Sequence, residues 1–102
     1  MRLPKNRPPI HPGEILLEEF LKPHRLSQTD MALRIGVSRK HINDIVHGRK
    51  PISTDIALRL SRFLGTSPEL WLNGQIAWDI WHELHSRKAS ELNAIEPLTA
   101  HG

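Results

Sequence analysis

Apolar residues along the chain recur every three or four positions and nowhere alternate with polar ones, so the pattern predicts helices joined by short turns and no strands. Pro12 suits the first position of a helix, where its missing N–H would be unpaired in any case, and Glu14 places an anion in the first turn. Ile15, Leu16, Leu17, Phe20 and Leu21 form the body of that helix, and Pro23 ends it by pushing the preceding residue out of the helical region. Ser27 caps a second helix, with Asp30 at capping-box spacing and Met31, Ala32 and Ile35 on its inner face. Gly36 stops it, and Ser38 caps a third from Arg39 to about His47, with Ile42, Ile45 and Val46 turned inward. After Gly48 and Pro51, either Ser53 or Thr54 caps a fourth helix carrying Ile56, Ala57, Leu60, Phe63 and Leu64, which Gly65 closes. Ser67-Pro68-Glu69 is a cap, a proline at the first position and an acid, and it opens a fifth helix to about Arg87. Gly74 inside that helix costs about 1 kcal/mol relative to alanine, which points to a kink or a close packing contact. From about Ser90 no period remains, and the segment reads as a tail.

Composition narrows what such a chain can do. Its 102 residues suffice for one domain with one core, small enough that dimerisation is a natural source of added stability. With no cysteine, disulfides and thiolate metal sites are excluded, and a reducing compartment fits. No apolar run reaches the roughly 20 residues a bilayer requires, and no signal-peptide stretch follows the basic start, so the expected location is the cytoplasm, with no membrane partner. The net charge of +3 is unevenly spread: residues 1–66 carry twelve Lys/Arg and six Asp/Glu, while residues 67–102 carry two and five. The basic two thirds is where a polyanion would be met. Neither a Gly-rich phosphate loop nor a nucleophile set stands out, so the chain is not expected to be an enzyme or to use a cofactor. His82 and His85 share a helical face, but the spacing is not that of a zinc protease, and no metal site is expected.

The stretch Leu26 to Lys50 carries the most information. Two short helices joined at Gly36 follow the helix-turn-helix plan, whose second helix enters the DNA major groove. Ala32 lets the helices cross closely, Ile42 is its apolar counterpart, and Val37 packs the turn. The outward face of the second helix then holds Ser38, Arg39, Lys40, Asn43 and Asp44. Arg and Lys donate to guanine, Asn pairs bidentately with adenine, and Asp44 is expected to accept from cytosine. Gln28 is placed to bond a phosphate from the N-terminus of the preceding helix, and Arg49 and Lys50 suit neighbouring phosphates. On the fifth helix Trp71, Trp78, Trp81 and Leu84 fall on one stripe, part of which packs in the core against the first and fourth helices and the rest of which is expected to help build a two-fold homodimer interface.

The residues Leu26-Ser27-Gln28-Thr29, Ala32, Ile35-Gly36-Val37-Ser38, Ile42, Gly48-Arg49 and Ile52 resemble the Cro/C1-type (XRE) helix-turn-helix family. Pro8 through Leu16, Ala57-Leu58-Arg59-Leu60 and Leu64 through Leu72 extend the resemblance to the HigA-type antitoxins, also called the virulence-associated protein I group, over residues 8–84. The resemblance implies an all-α, five-helix, lambda-repressor-like fold. It also implies a dimeric repressor that binds a palindromic double-stranded operator, controls its own operon and neutralises a RelE-like mRNA-cleaving toxin. The expected organisation is an extended basic arm at 1–11, a helix-turn-helix domain with its dimerisation helix at 12–87, and a flexible tail at 88–102. Two other readings stay open: a stand-alone regulator with no toxin, and a protein-interaction module that binds DNA weakly or only in complex.

Overall fold

A computed structural model describes residues 7–98. Most of the proposed arm, residues 1–6, and the last four residues lie outside them. Among the described residues the chain is all helical. Helix α1 (Pro12–Ile15) continues as a π-helix through Leu16–Leu21, followed by α2 (Gln28–Ile35), α3 (Arg39–Val46), α4 (Thr54–Leu64), α5 (Pro68–Leu84) and α6 (Ala89–Asn93). The five expected helices are present, and α6 is a sixth, formed within the segment read as a tail. Its polar Ala89-Ser90-Glu91-Leu92-Asn93 buries no residue, which is why no hydrophobic period announced it. The fifth helix stops at Leu84, slightly short of the expected Arg87.

Each boundary has a local cause. The hydroxyls of Ser27, Ser38, Ser53 and Ser67 accept the backbone N–H of Asp30, His41, Ile56 and Leu70 at 3.0, 3.0, 3.2 and 3.2 Å. His11 plays the same part for α1, its ring Nδ1 accepting from Gly13 N at 2.9 Å. Gly36 adopts φ +75°, a conformation that strains any side chain with a β-carbon, and its N–H and that of Val37 both reach the Ala32 carbonyl.

One core holds the helices together. Leu16, Leu21, Met31, Ala32, Ile35, Ile42, Ile45, Ile52, Ile56, Leu60 and Trp71 are buried in a single cluster. Burial of each large aliphatic side chain here stabilises the fold by about 1.5–3 kcal/mol. Trp71 is fully buried, tilted against Phe20 with ring centroids 5.5 Å apart, and its indole N–H donates to Thr66 Oγ1 at 2.8 Å.

Two glycines mark where helices meet, with opposite consequences. A β-carbon on Gly13 would stand 1.8 Å from the Ile45 carbonyl oxygen, so α1 can lie on α3 only because position 13 has no side chain. Gly74 faces the Pro12 ring, where a β-carbon would sit at an ordinary 3.4 Å, so the contact expected at this glycine has room for a methyl group. Gly13→Ala is therefore expected to destabilise the fold by about 3 kcal/mol or more. Gly74→Ala should raise stability by up to about 1 kcal/mol; chemical denaturation of both variants separates the two, and equal effects would contradict the packing described.

His11 gives the fold a pH dependence. It is buried and meets Trp78 edge-on, with ring centroids 4.9 Å apart. Burial holds its pKa below the usual 6.5, assisted by His82 and opposed by Asp79 and Glu14. The unfolded chain therefore takes up this proton at a higher pH than the folded one, so stability is complete above about pH 6.5 and falls as the pH drops below it. Thermal melts between pH 7.5 and 5 should show this decline, and His11→Asn, which keeps a cap but not the proton, should flatten it. An unchanged slope in the variant would assign the effect elsewhere.

Candidate nucleic-acid interface

The outer face of α3 is positioned from three sides. Ile42, Ile45 and Val46 anchor it in the core, and Gly13 brings α1 against the Ile45 carbonyl. From α4, the Arg59 guanidinium donates to the Ile35 carbonyl at 2.7 Å, closing the C-terminus of α2 immediately before the turn. Asp55 holds Arg59 in place at 2.9 Å. From α5, the buried Gln75 side chain accepts from Ile52 N at 2.8 Å and donates to Asp79, tying down the loop that follows α3. Neither Arg59 nor Gln75 was singled out from the sequence, since both do their work through backbone atoms more than twenty residues away.

Five of the eight residues expected to meet DNA form one hydrogen-bonded network, and a sixth, Lys50, adds a looser ion pair at its edge. Asn43 Nδ2 donates to Gln28 Oε1 at 3.0 Å, joining α3 to α2. Arg49 Nη2 donates to Asn43 Oδ1 at 2.7 Å, and its Nε donates to Asp44 Oδ1 at 3.1 Å. Lys40 donates to Asp44 Oδ2 at 2.9 Å, and the Lys50 ammonium stands 4.0 Å from the same oxygen. Ser38 and Arg39 are exposed at the N-terminus of α3, outside the network. The Ser38 oxygen serves as the helix cap, leaving its own O–H free to donate.

Two expectations are corrected here. Asp44 does not project toward a base: its side chain is only 11% exposed and its carboxylate is occupied by Lys40 and Arg49. The hydrogen bond from Lys40, joined by that from Arg49, holds its pKa below the usual carboxylate range against the opposing effect of burial. The aromatic stripe of α5 also divides. Trp71 belongs to the core, while Trp78 and Trp81 are half-buried; Trp78 lies tilted against His82 with ring centroids 3.9 Å apart, and Trp81 stacks on His85 at 3.8 Å. Both histidines also use Nδ1 on backbone carbonyls, and among the described residues no group of three potential ligands could hold a metal. Among the apolar residues that α5 exposes, Ile76, Ile80 and Leu84 fall four residues apart on one face. Leu84, the last residue of the stripe, belongs to this exposed face as well. No helix of the described residues is long and apolar enough to cross a membrane.

Two packed, serine-capped helices joined at a left-handed glycine, with cations arrayed on the second, define a helix-turn-helix domain. Residues 17–71 match the helix-turn-helix family. The chain is 44% identical over 92 residues to virulence-associated protein I of Dichelobacter nodosus, covering 90% of this chain and 83% of that one. It is 35% identical over 98 residues to antitoxin HigA-1 of Vibrio cholerae, covering 96% and 90%. The solved structure of Pseudomonas aeruginosa antitoxin HigA with the higBA promoter is similar at a TM-score of 0.82 and 39% identity, covering 88% of this chain and 98% of that one. The chain belongs to the helix-turn-helix family, in its XRE-type branch with virulence-associated protein I and the HigA antitoxins.

Proposed function

We propose that this chain is a sequence-specific DNA-binding repressor of the antitoxin type, which binds the operator of its own operon and neutralises a RelE-like toxin encoded beside it. The observation that carries the DNA reading is the network on α3. Gln28 and Arg49 each occupy one hydrogen-bonding position on the Asn43 amide and orient it, leaving one N–H and one carbonyl lone pair, one donor and one acceptor of the kinds that a contact to adenine uses. The similarity to a HigA antitoxin solved with its promoter supports the same reading, and the similarity to antitoxin HigA-1 supports a toxin partner.

The operator-binding form is a two-fold dimer. Ile76, Ile80 and Leu84 form its seam, with Leu84 retained from the stripe read in the sequence and Trp71 excluded by its burial. A dimer presents two copies of α3 to major grooves about 34 Å apart, one turn of the duplex, and so reads a palindrome.

A mobility-shift titration on the chain's own promoter, with random duplex as competitor, tests the proposal. Binding should resist the competitor and weaken steeply between about 50 and 200 mM salt. Lys40→Ala or Asn43→Ala should lower the preference for operator over random duplex by roughly 5- to 150-fold, the range of one good base contact. Lys50→Ala, which loses a phosphate contact, should weaken both DNAs alike. Ile80→Arg should sediment as a monomer and lose the operator shift. Competitor-sensitive binding by folded wild-type protein would remove the repressor function.

A further inference from the structure

Resting on the DNA reading above, we propose that Asp44 is a specificity-determining positioning residue: it holds the cations of the interface in reserve, suppressing attachment to DNA of arbitrary sequence. The geometry is asymmetric. The Asp44 side chain is 11% exposed, whereas those of Lys40, Arg49 and Lys50 are 81, 55 and 47% exposed. The acid is the fixed partner and the cations are the movable ones. Asp44 is fixed through its backbone as well, since its carbonyl accepts from Arg49 N at 2.7 Å and Lys50 N at 3.2 Å.

A phosphate chain approaching α3 must compete with Asp44 for each cation. Surrendering all of them would strand a largely buried carboxylate, which is strongly unfavourable. The cations therefore differ in how readily they leave. Arg49 is forked between Asp44 and Asn43 and stays as the anchor. Lys50 has only the 4.0 Å contact, and Lys40 is the most exposed, so these two are released. Release of Lys40 is repaid where a guanine edge receives its ammonium group. On a random sequence only the phosphates are gained, and the fixed negative charge counts against them. Asp44 thus weakens non-specific binding more than operator binding.

Asp44→Asn tests this with the full-length chain. The amide is isosteric, leaves the backbone contacts intact and removes the charge; circular dichroism melts confirm the fold. On random-sequence duplex the variant should bind about tenfold more tightly at roughly 50 mM salt, with a log–log salt slope steeper by about 0.9, as for one additional effective cation. Its preference for the promoter should fall by a similar factor. A random-duplex affinity and slope equal to wild type, or equal weakening on both DNAs, would overturn the proposal and leave Asp44 as a structural tie. The random-duplex comparison reads Asp44 even if wild-type protein shows no promoter preference, an outcome that would count against the repressor function alone.

Discussion

The backbone of Gly13 lies against the carbonyl of Ile45 at a distance no side chain could share, and the placement of α3 rests on that approach. The same corner holds His11, which caps α1, packs edge-on against Trp78 of α5 and borders Gly48 just after α3. Pro12, the next residue, meets α5 at Gly74. Three consecutive residues thus pin the first, third and fifth helices to one another. Burial of Leu16, Ile42, Ile45 and Trp71 supplies the driving force, but it is this steric fit that sets where α3 stands.

With the helix fixed from behind, its outer face can be organised by polar contacts alone. Arg59 and Gln75 hold the backbone on either side of α3, and the chain Gln28–Asn43–Arg49–Asp44–Lys40 links the side chains in front. A reader whose groups are already aligned loses less conformational entropy on binding than one with free lysines and arginines. Exposed ion pairs contribute little to stability. Their significance under the proposed DNA reading lies in the anion, which is nearly buried and less free to move than its cations.

Much of this was legible in the sequence because the signals are local. Serine caps, glycine stops and the three-to-four spacing placed five helices, and Gly36 gave the turn between α2 and α3. The face carrying Arg39, Lys40 and Asn43 followed from helical geometry. What stayed hidden depends on tertiary neighbours. Asp44 follows Asn43 by a single residue, and only the fold shows that this rotation takes it from the outer face to the flank of the core. Which apolar residues of α5 lie inward was hidden for a related reason: Trp71 and Ile80 are both apolar, and burial depends on what α1 and the π-helical turn cover. Gly13 gave no sign of its role, since the carbonyl it avoids lies on another helix.

If the pre-aligned face of α3 is the surface that reads DNA, titrating isotope-labelled protein with a duplex of its own promoter, and following backbone and side-chain amides by nuclear magnetic resonance, will show it. The largest changes should fall on Gln28, Ser38, Arg39, Lys40 and the Asn43 side-chain amide, with Arg49 following. Changes centred instead on Arg34, Arg62 and Phe63, which border the groove between α2 and α4, with α3 left unmoved, would contradict it.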